Sequence, residues 1–193
     1  MLTFGVVHSF FFGIVKMSDF VNEGKFDSVL LSPVSAFVRQ SGMQFSVVAY
    51  GDLLQGIAVT LWYIIHMHMS SVAIGVLLFG IIIGSVVFVA LVLAISCISF
   101  YIQDSAIIAD QLRDILIRPS IYPGGIFPEG LKIFFMTVVP ALLTSSVPID
   151  MVKNPSARLF VFVAVVVVAW MLITRFIFAR ALRRYESGNM LRS

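Results

Sequence analysis

Charge is what this chain has least of. Asp, Glu, Lys and Arg make up 12% of its 193 residues and apolar residues 60%, whereas a soluble domain carries about 25% charge. Leu53 to Gln103 contains no Asp, Glu, Lys or Arg. Roughly 18 apolar residues already span hydrocarbon, so a run of this length excludes a water-soluble fold and places the chain in lipid. Mean hydropathy is correspondingly high, at +1.03. The single cysteine, Cys97, lies inside that run; it excludes an intrachain disulfide and reads as a small packing residue. There is no G-x-x-x-x-G-K-[ST] loop, since Gly24-Lys25 lacks both the upstream glycine and the hydroxyl residue, so the chain has no such cradle for ATP phosphates. No serine sits in a G-x-S-x-G setting and no nucleophile is paired with a base within the apolar segments, so no catalytic residue is assigned. The net charge of +3 is spread over the ends of apolar segments rather than gathered in a patch, which argues against nucleic acid as a partner.

What is present is a series of apolar segments separated by polar ones. Met1 to Val15 is apolar, without the basic start or A-x-A pattern of a signal peptide. Fifteen helical residues reach about 22 Å, short of the ~30 Å hydrocarbon layer, so 1–15 reads as a partial span whose beginning is missing. Residues 19–40 carry Asp19, Glu23, Lys25, Asp27 and Arg39, with apolar residues at helical spacing and a break near Pro33; this is an amphipathic element lying at a membrane surface. Spans are expected over 43–65, 71–100, 131–147 and 159–179. The polar stretch from Tyr101 to Ser120 predicts a second interfacial or bundle-facing helix, broken by Pro119, Pro123 and Pro128. Pro140 and Pro148 predict discontinuous helices at membrane depth before the last span, tolerated only where freed backbone groups find protein or water. The fold class is therefore all-α: a single polytopic transmembrane helix bundle over 1–193.

Basic residues set the expected orientation. With 16–39, 101–132 and 175–193 on one side, that side holds eleven of the thirteen Lys and Arg, leaving Lys153 and Arg158 opposite. The positive-inside rule makes the richer side cytoplasmic, including the C-terminus.

Few residues stand out as functional. Asp52 is the only acid deep within an apolar span, where a carboxylate costs about 2.5–3.5 kcal/mol; with Gln55 it fits the lining of a translocation path or a proton site, and equally an interhelical hydrogen bond. Gly80 and Gly84 have the small-xxx-small spacing of close helix packing, within the chain or across a dimer. His66 and His68 are about 200° apart on a helix, with no Cys or carboxylate to complete a metal site, and read as interfacial loop residues. The element at 19–40 fits a coupling surface for a cytosolic partner or a plain amphipathic linker.

The segment Gly24-Lys25-Phe26-Asp27-Ser28-Val29-Leu30-Leu31-Ser32-Pro33-Val34-Ser35 resembles a G-x-(F/L)-D-x-x-L-L-x-P-(L/V)-(S/N) signature of ABC-2 family permeases of the bacterial export type. Tyr122-Pro123, Ile126-Phe127-Pro128, Leu131-Lys132, Val139-Pro140-Ala141 and Val147-Pro148 are similar to that family's second signature, in the same order and spacing. The resemblance runs from about residue 10 to the C-terminus. It implies a six-span permease in the bacterial cytoplasmic membrane, paired with a second copy or a paralogue and driven by a separate cytosolic subunit that binds the ATP. It further implies that Glu23, Gly24, Phe26, Asp27, Leu30, Leu31 and Pro33 belong to the element that docks on the ATPase, and that the first span and part of the second are absent here.

Two other classes remain open: an ion-coupled secondary transporter using Asp52, though no internal repeat of the kind such folds show is visible, and a structural membrane subunit. The charge distribution makes its own prediction. A fluorescent reporter fused behind the C-terminal tail should mature in the cytosol, and a periplasm-specific phosphatase inserted between Lys153 and Arg158 should be active; an inactive loop fusion with a dark tail reporter would reverse the orientation.

Overall fold

A computed structural model describes residues 2–102 and 105–185; Gln103 and Asp104 of the polar stretch, and the tail beyond Tyr185, lie outside the described residues. The described chain is helical throughout, without a strand. It starts with α1 (Leu2–Phe10) and α2 (Phe12–Val15), followed by three short helices: α3 (Met17–Asn22), α4 (Asp27–Leu30) and α5 (Ala36–Ser41). Two long helices come next, α6 (Val47–His66) and α7 (Ser71–Ser96), the latter extended by a 3-10 turn at Cys97–Phe100. Then come α8 (Ala106–Ile117), α9 (Glu129–Thr137), α10 (Ser146–Lys153) and α11 (Ala157–Arg184). Among the described residues three helices are long and apolar enough to cross a membrane: Val47–His66, Ser71–Phe100 and Ala157–Arg184.

Local chemistry explains the ends of α6 and α7. Ser46 Oγ accepts from Ala49 N at 3.4 Å and Ser70 Oγ from Ala73 N at 3.3 Å, each serving one of the amides that a helix start leaves unpaired. Between the two helices His68 adopts φ 47°. This left-handed residue closes α6, with Met69 N bonded to Ile64 O and His68 N to Ile65 O, both at 3.2 Å. The neighbouring His66 ring stacks on Trp62 at 4.9 Å. The two histidines thus serve the turn and the helix surface separately.

The most buried helix is α7, and it organises the bundle. Two apolar clusters meet along it. One gathers Val7, Ile14, Met17, Phe26, Phe88, Val92 and Phe100 with the end of α11; the other gathers Val87, Leu142, Leu143, Val147, Met151 and Val163. Small residues allow the closest approaches. A Cβ on Gly80 would lie 2.9 Å from Pro148 Cα, and one on Gly84 would lie 2.9 Å from Leu143 O, so in this chain both glycines pack α7 against the broken segment around 140–148. A second close crossing joins α1 to α6: a Cβ on Gly5 would lie 2.6 Å from Leu53 Cα, and one on Gly56 2.7 Å from Leu2 Cα.

Residues 131–147, expected as one span, are not one helix. α9 ends at Thr137, a 3-10 turn occupies Pro140–Thr144, and α10 starts at Ser146. The cause is proline: Pro140 and Pro148 have no N–H to continue an α-helical ladder. Side chains from other helices take up the freed carbonyls. In a continuous helix Thr137 O would accept from Ala141 N, but that amide turns to Val139 O, and the Trp170 indole of α11 donates to Thr137 O at 2.8 Å instead. Thr144 O, whose helical partner would be Pro148, accepts from Thr3 Oγ1 of α1 at 3.1 Å. Within lipid such donors are required, since no water is there to replace them.

The broken segment folds back on itself. Lys132 Nζ lies 3.9 Å from Asp150 Oδ2, so the start of α9 sits beside the end of α10 and the two form a hairpin. Lys132 therefore joins Lys153 and Arg158 on their side. The basic count becomes ten against three of the thirteen, and the asymmetry persists. Phe100 and Tyr185 meet at the opposite end of the bundle, 5.7 Å apart, so the chain between α7 and α9 traverses the bundle by way of α8.

Filling the close contacts should cost stability. Gly84→Val overpacks against the Leu143 carbonyl and should cost about 1–3 kcal/mol; Trp170→Phe leaves Thr137 O without its donor and should cost about 1 kcal/mol. Both should lower the thermal midpoint in detergent, read by thiol-reactive dye, while Gly75→Ala, with open space around its Cβ position, should leave it unchanged.

Candidate functional site

The element signalled by Gly24 to Ser35 is a folded clamp rather than a loose linker. α3 ends in a left-handed glycine, Gly24 at φ 68°. The closing hydrogen bonds are Lys25 N to Phe20 O at 2.9 Å and Gly24 N to Val21 O at 3.1 Å, the two-bond helix stop that favours glycine at this position. The turn sends Phe26 inward, where it is fully buried. Its ring stands edge-on to Phe100 at 5.2 Å and to Tyr185 at 5.3 Å, an arrangement favoured by the aromatic quadrupole. Val29, one turn of α4 later, is also fully buried.

The residues between and beyond these anchors face outward. Leu30 is 44% exposed and Leu31 87%; Pro33, Val34 and Val38 are exposed as well. The far end is fixed by Gln40, buried in α5, whose Nε2 donates to Gly13 O at 2.6 Å. The element is thus pinned at Phe26, Val29 and Gln40 and offers an apolar strip of Leu30, Leu31, Val34 and Val38. Glu23 pairs with Lys25 at 2.6 Å, both exposed, an ion pair of the kind worth about 0–1 kcal/mol.

Two polar links join this element to the rest of the bundle. Asn22 Oδ1, with the amide oriented to suit its neighbours, accepts from Ser105 N at 3.2 Å and Ala106 N at 3.0 Å, capping α8 from α3. Arg113 of α8 is buried; its guanidinium donates to Val15 O at 3.3 Å and pairs with Asp110. This arginine takes the last carbonyl of α2, and the charge count alone gave no reason to single it out. Its signal lay in the spacing: Ala109, Arg113 and Ile117 form the buried stripe of α8, four residues apart.

Asp27 sits next to Tyr185, the residue that ends α11. Burial first, and then the Asp27 carboxylate, push the Tyr185 phenol up to about 12. The Asp27 carboxylate thus lies beside the end of α11, between the 19–40 element and the C-terminal helix.

The remaining candidate residues are scattered. Asp52 and Gln55 are exposed on α6, and no polar side chain of another helix is brought to them by hydrogen bond or ion pair among the described residues. Gly80 and Gly84 lie at the interface of α7 with the broken segment, far along α7 from the clamp.

A folded pKa above the ordinary tyrosine value of about 10 favours the native state below pH 10, and the benefit fades as pH rises from 10 through about 12. Absorbance at 295 nm should show one phenol ionising near pH 12 in the wild type. In Asp27→Asn that phenol should ionise at lower pH, closer to 10; an unshifted titration would remove Asp27 as a cause.

Comparison with known proteins agrees with the two sequence signatures. A family model described as ABC-2 family transporter protein matches residues 1–189. No curated protein and no solved structure matches the chain. The match extends over nearly the whole chain, including the Gly24–Ser35 clamp and the proline-broken hairpin. The chain is a multi-pass membrane protein that belongs to the ABC-2 transporter family, the membrane-spanning permease part of an ABC transporter.

Proposed function

We propose that the chain is the permease subunit of an ATP-binding cassette exporter, driven by a separate cytosolic ATPase that docks on the 19–40 element. The exposure of Leu30 and Leu31 beside fully buried Phe26 and Val29 is the observation that carries this reading. A linker has no need of three internal anchors, whereas a lever that transmits force does. Contacts made on Leu30, Leu31, Val34 and Val38 would be passed through Phe26 to Phe100 and Tyr185, hence to the ends of α7 and α11, and through Gln40 to α2. Gly24 shapes the turn, Asp27 tethers the element to Tyr185, Glu23 precedes the exposed strip and Pro33 lies within it.

The basic ends support the orientation: clamp and C-terminus in the cytosol, the α9–α10 hairpin on the outer side, in the cytoplasmic membrane of a bacterium. ATP is bound by the partner subunit, and the permease itself uses no cofactor. α6 is packed mainly against α1 and leaves much of its surface open. That open surface, with Asp52 and Gln55 on it, suits contact with a second permease copy or paralogue around a shared path, where a carboxylate in a spanning helix is expected to face. Export is the direction implied by the resemblance to export-type permeases.

Co-expression and co-purification with a candidate ATP-binding cassette ATPase test the docking assignment. Leu30→Asp with Leu31→Asp should reduce ATPase recovery about tenfold, the effect of losing roughly 1.4 kcal/mol of interface, with a much smaller drop in thermal midpoint than Phe26→Ala, since Leu31 is exposed and Leu30 partly so. Phe26→Ala should lower recovery and stability together, by the ~3–5 kcal/mol typical of a buried phenylalanine. Full recovery with the double aspartate would move the docking surface elsewhere.

A further inference from the structure

A groove of about 600 Å³ opens on the flank of the bundle between α1, α5, α7 and α11, within the size range of sites for single small ligands. Its walls are mainly apolar and include Val86, Val89 and Leu93 of α7, Met171 and Phe178 of α11, and Phe37 of α5. Two hydroxyls also line it, but both are engaged within the fold: Ser85 Oγ donates to Ile81 O at 2.9 Å and Thr174 Oγ1 to Ala90 O at 3.2 Å. Arg175 is the one charged residue of the lining. It is exposed and has no ion-pair partner among the described residues.

A guanidinium within a spanning helix is costly unless it reaches a headgroup or an anion. Arg175 lies nine residues before Arg184, about 14 Å from the end of α11 that bears Tyr185, a depth from which a long side chain reaches the interfacial layer. The groove runs beside it, and Phe37 places one end of the groove at the clamp. One cation over an otherwise apolar channel matches an amphiphile with a single anionic head and a hydrocarbon tail. We infer that the groove binds an anionic phospholipid of the cytoplasmic leaflet, with an acyl chain along α7 and α11 and the phosphate on Arg175. The choice of leaflet rests on the orientation proposed above; the binding itself does not.

The full chain in nanodiscs, which present both leaflets, tests the site. Phosphatidylglycerol or phosphatidylcholine with a diazirine on the acyl chain is photolysed, and labelled peptides are mapped by mass spectrometry. In the wild type, phosphatidylglycerol should label the α7 and α11 groove residues about five-fold more than phosphatidylcholine, the preference expected from one basic side chain near an anionic lipid. Arg175→Gln should reduce that ratio to one, and Arg175→Lys should keep it, separating charge from a folding defect. Arg183→Gln should leave it unchanged. Equal labelling by the two lipids, labelling confined to other surfaces, or an equal loss in Arg183→Gln would overturn the inference. So would a disulfide between copies through Val86→Cys in a Cys97→Ser background that excludes the lipid label, which would make the groove a subunit interface.

Discussion

At two breaks inside the bundle, side chains from other helices donate to the carbonyls left there, and the rest of the structure depends on that constraint. At the first break, between α1 and α3, Gln40 donates to Gly13 O, Ser96 to Ile14 O and Arg113 to Val15 O. At the second, Trp170 donates to Thr137 O and Thr3 to Thr144 O. In hydrocarbon no water can replace these donors. Each bond therefore fixes the position of the helix that supplies it: α5, α7 and α8 around the first break, α11 and α1 around the second. Five side chains hold together elements that the backbone ladder leaves separate.

Close packing makes those donors reachable. A threonine hydroxyl extends little beyond its own Cα, so Thr3 reaches Thr144 O only because α1, α7 and the broken segment lie almost in contact. Gly84 is what permits it: its missing Cβ admits the Leu143 carbonyl, and a Cβ there would touch Thr144 Cα at 3.2 Å and the Thr3 methyl at 3.6 Å. Gly13 serves the first break in the same way, since a Cβ there would lie 1.8 Å from Gln40 O. Association of helices in lipid depends on such small residues, because lipid tails are as apolar as leucine and provide no hydrophobic drive.

The same framework holds the 19–40 element in place. Its sequence places apolar residues at helical spacing, and the fold then divides them, with Phe26 and Val29 inside and Leu30 and Leu31 outside. A patch held this firmly cannot relax into the bundle when it is left uncovered. The electrostatics point the same way. Asp27 and Tyr185 join the element to the last helix, Asn22 joins it to α8, and Arg113 joins α8 to α2, so the element is tied to α2, α8 and α11.

The amount of each level that could be read in advance follows from the range of the interactions. Membrane residence, the long helices α6, α7 and α11, the amphipathic element and the proline break were all legible, because hydrophobic run length, charge position and the missing proline N–H act over a few residues. The family was legible from two short signatures, whereas the helix stop at Gly24 was not, since the pattern placed the break near Pro33. The hairpin of α9 and α10 was not, since an apolar stretch of that length looks like a span until Lys132 and Asp150 are found side by side. Nor was the burial of Arg113, which depends on a carbonyl 98 residues away in the chain. Composition and local pattern thus determined that this protein lives in a bilayer, where its three long helices run, and that prolines interrupt the segment before the last of them. Only the tertiary structure decided which side chain serves each broken carbonyl and which leucines are left facing out, because those outcomes require distant segments to meet.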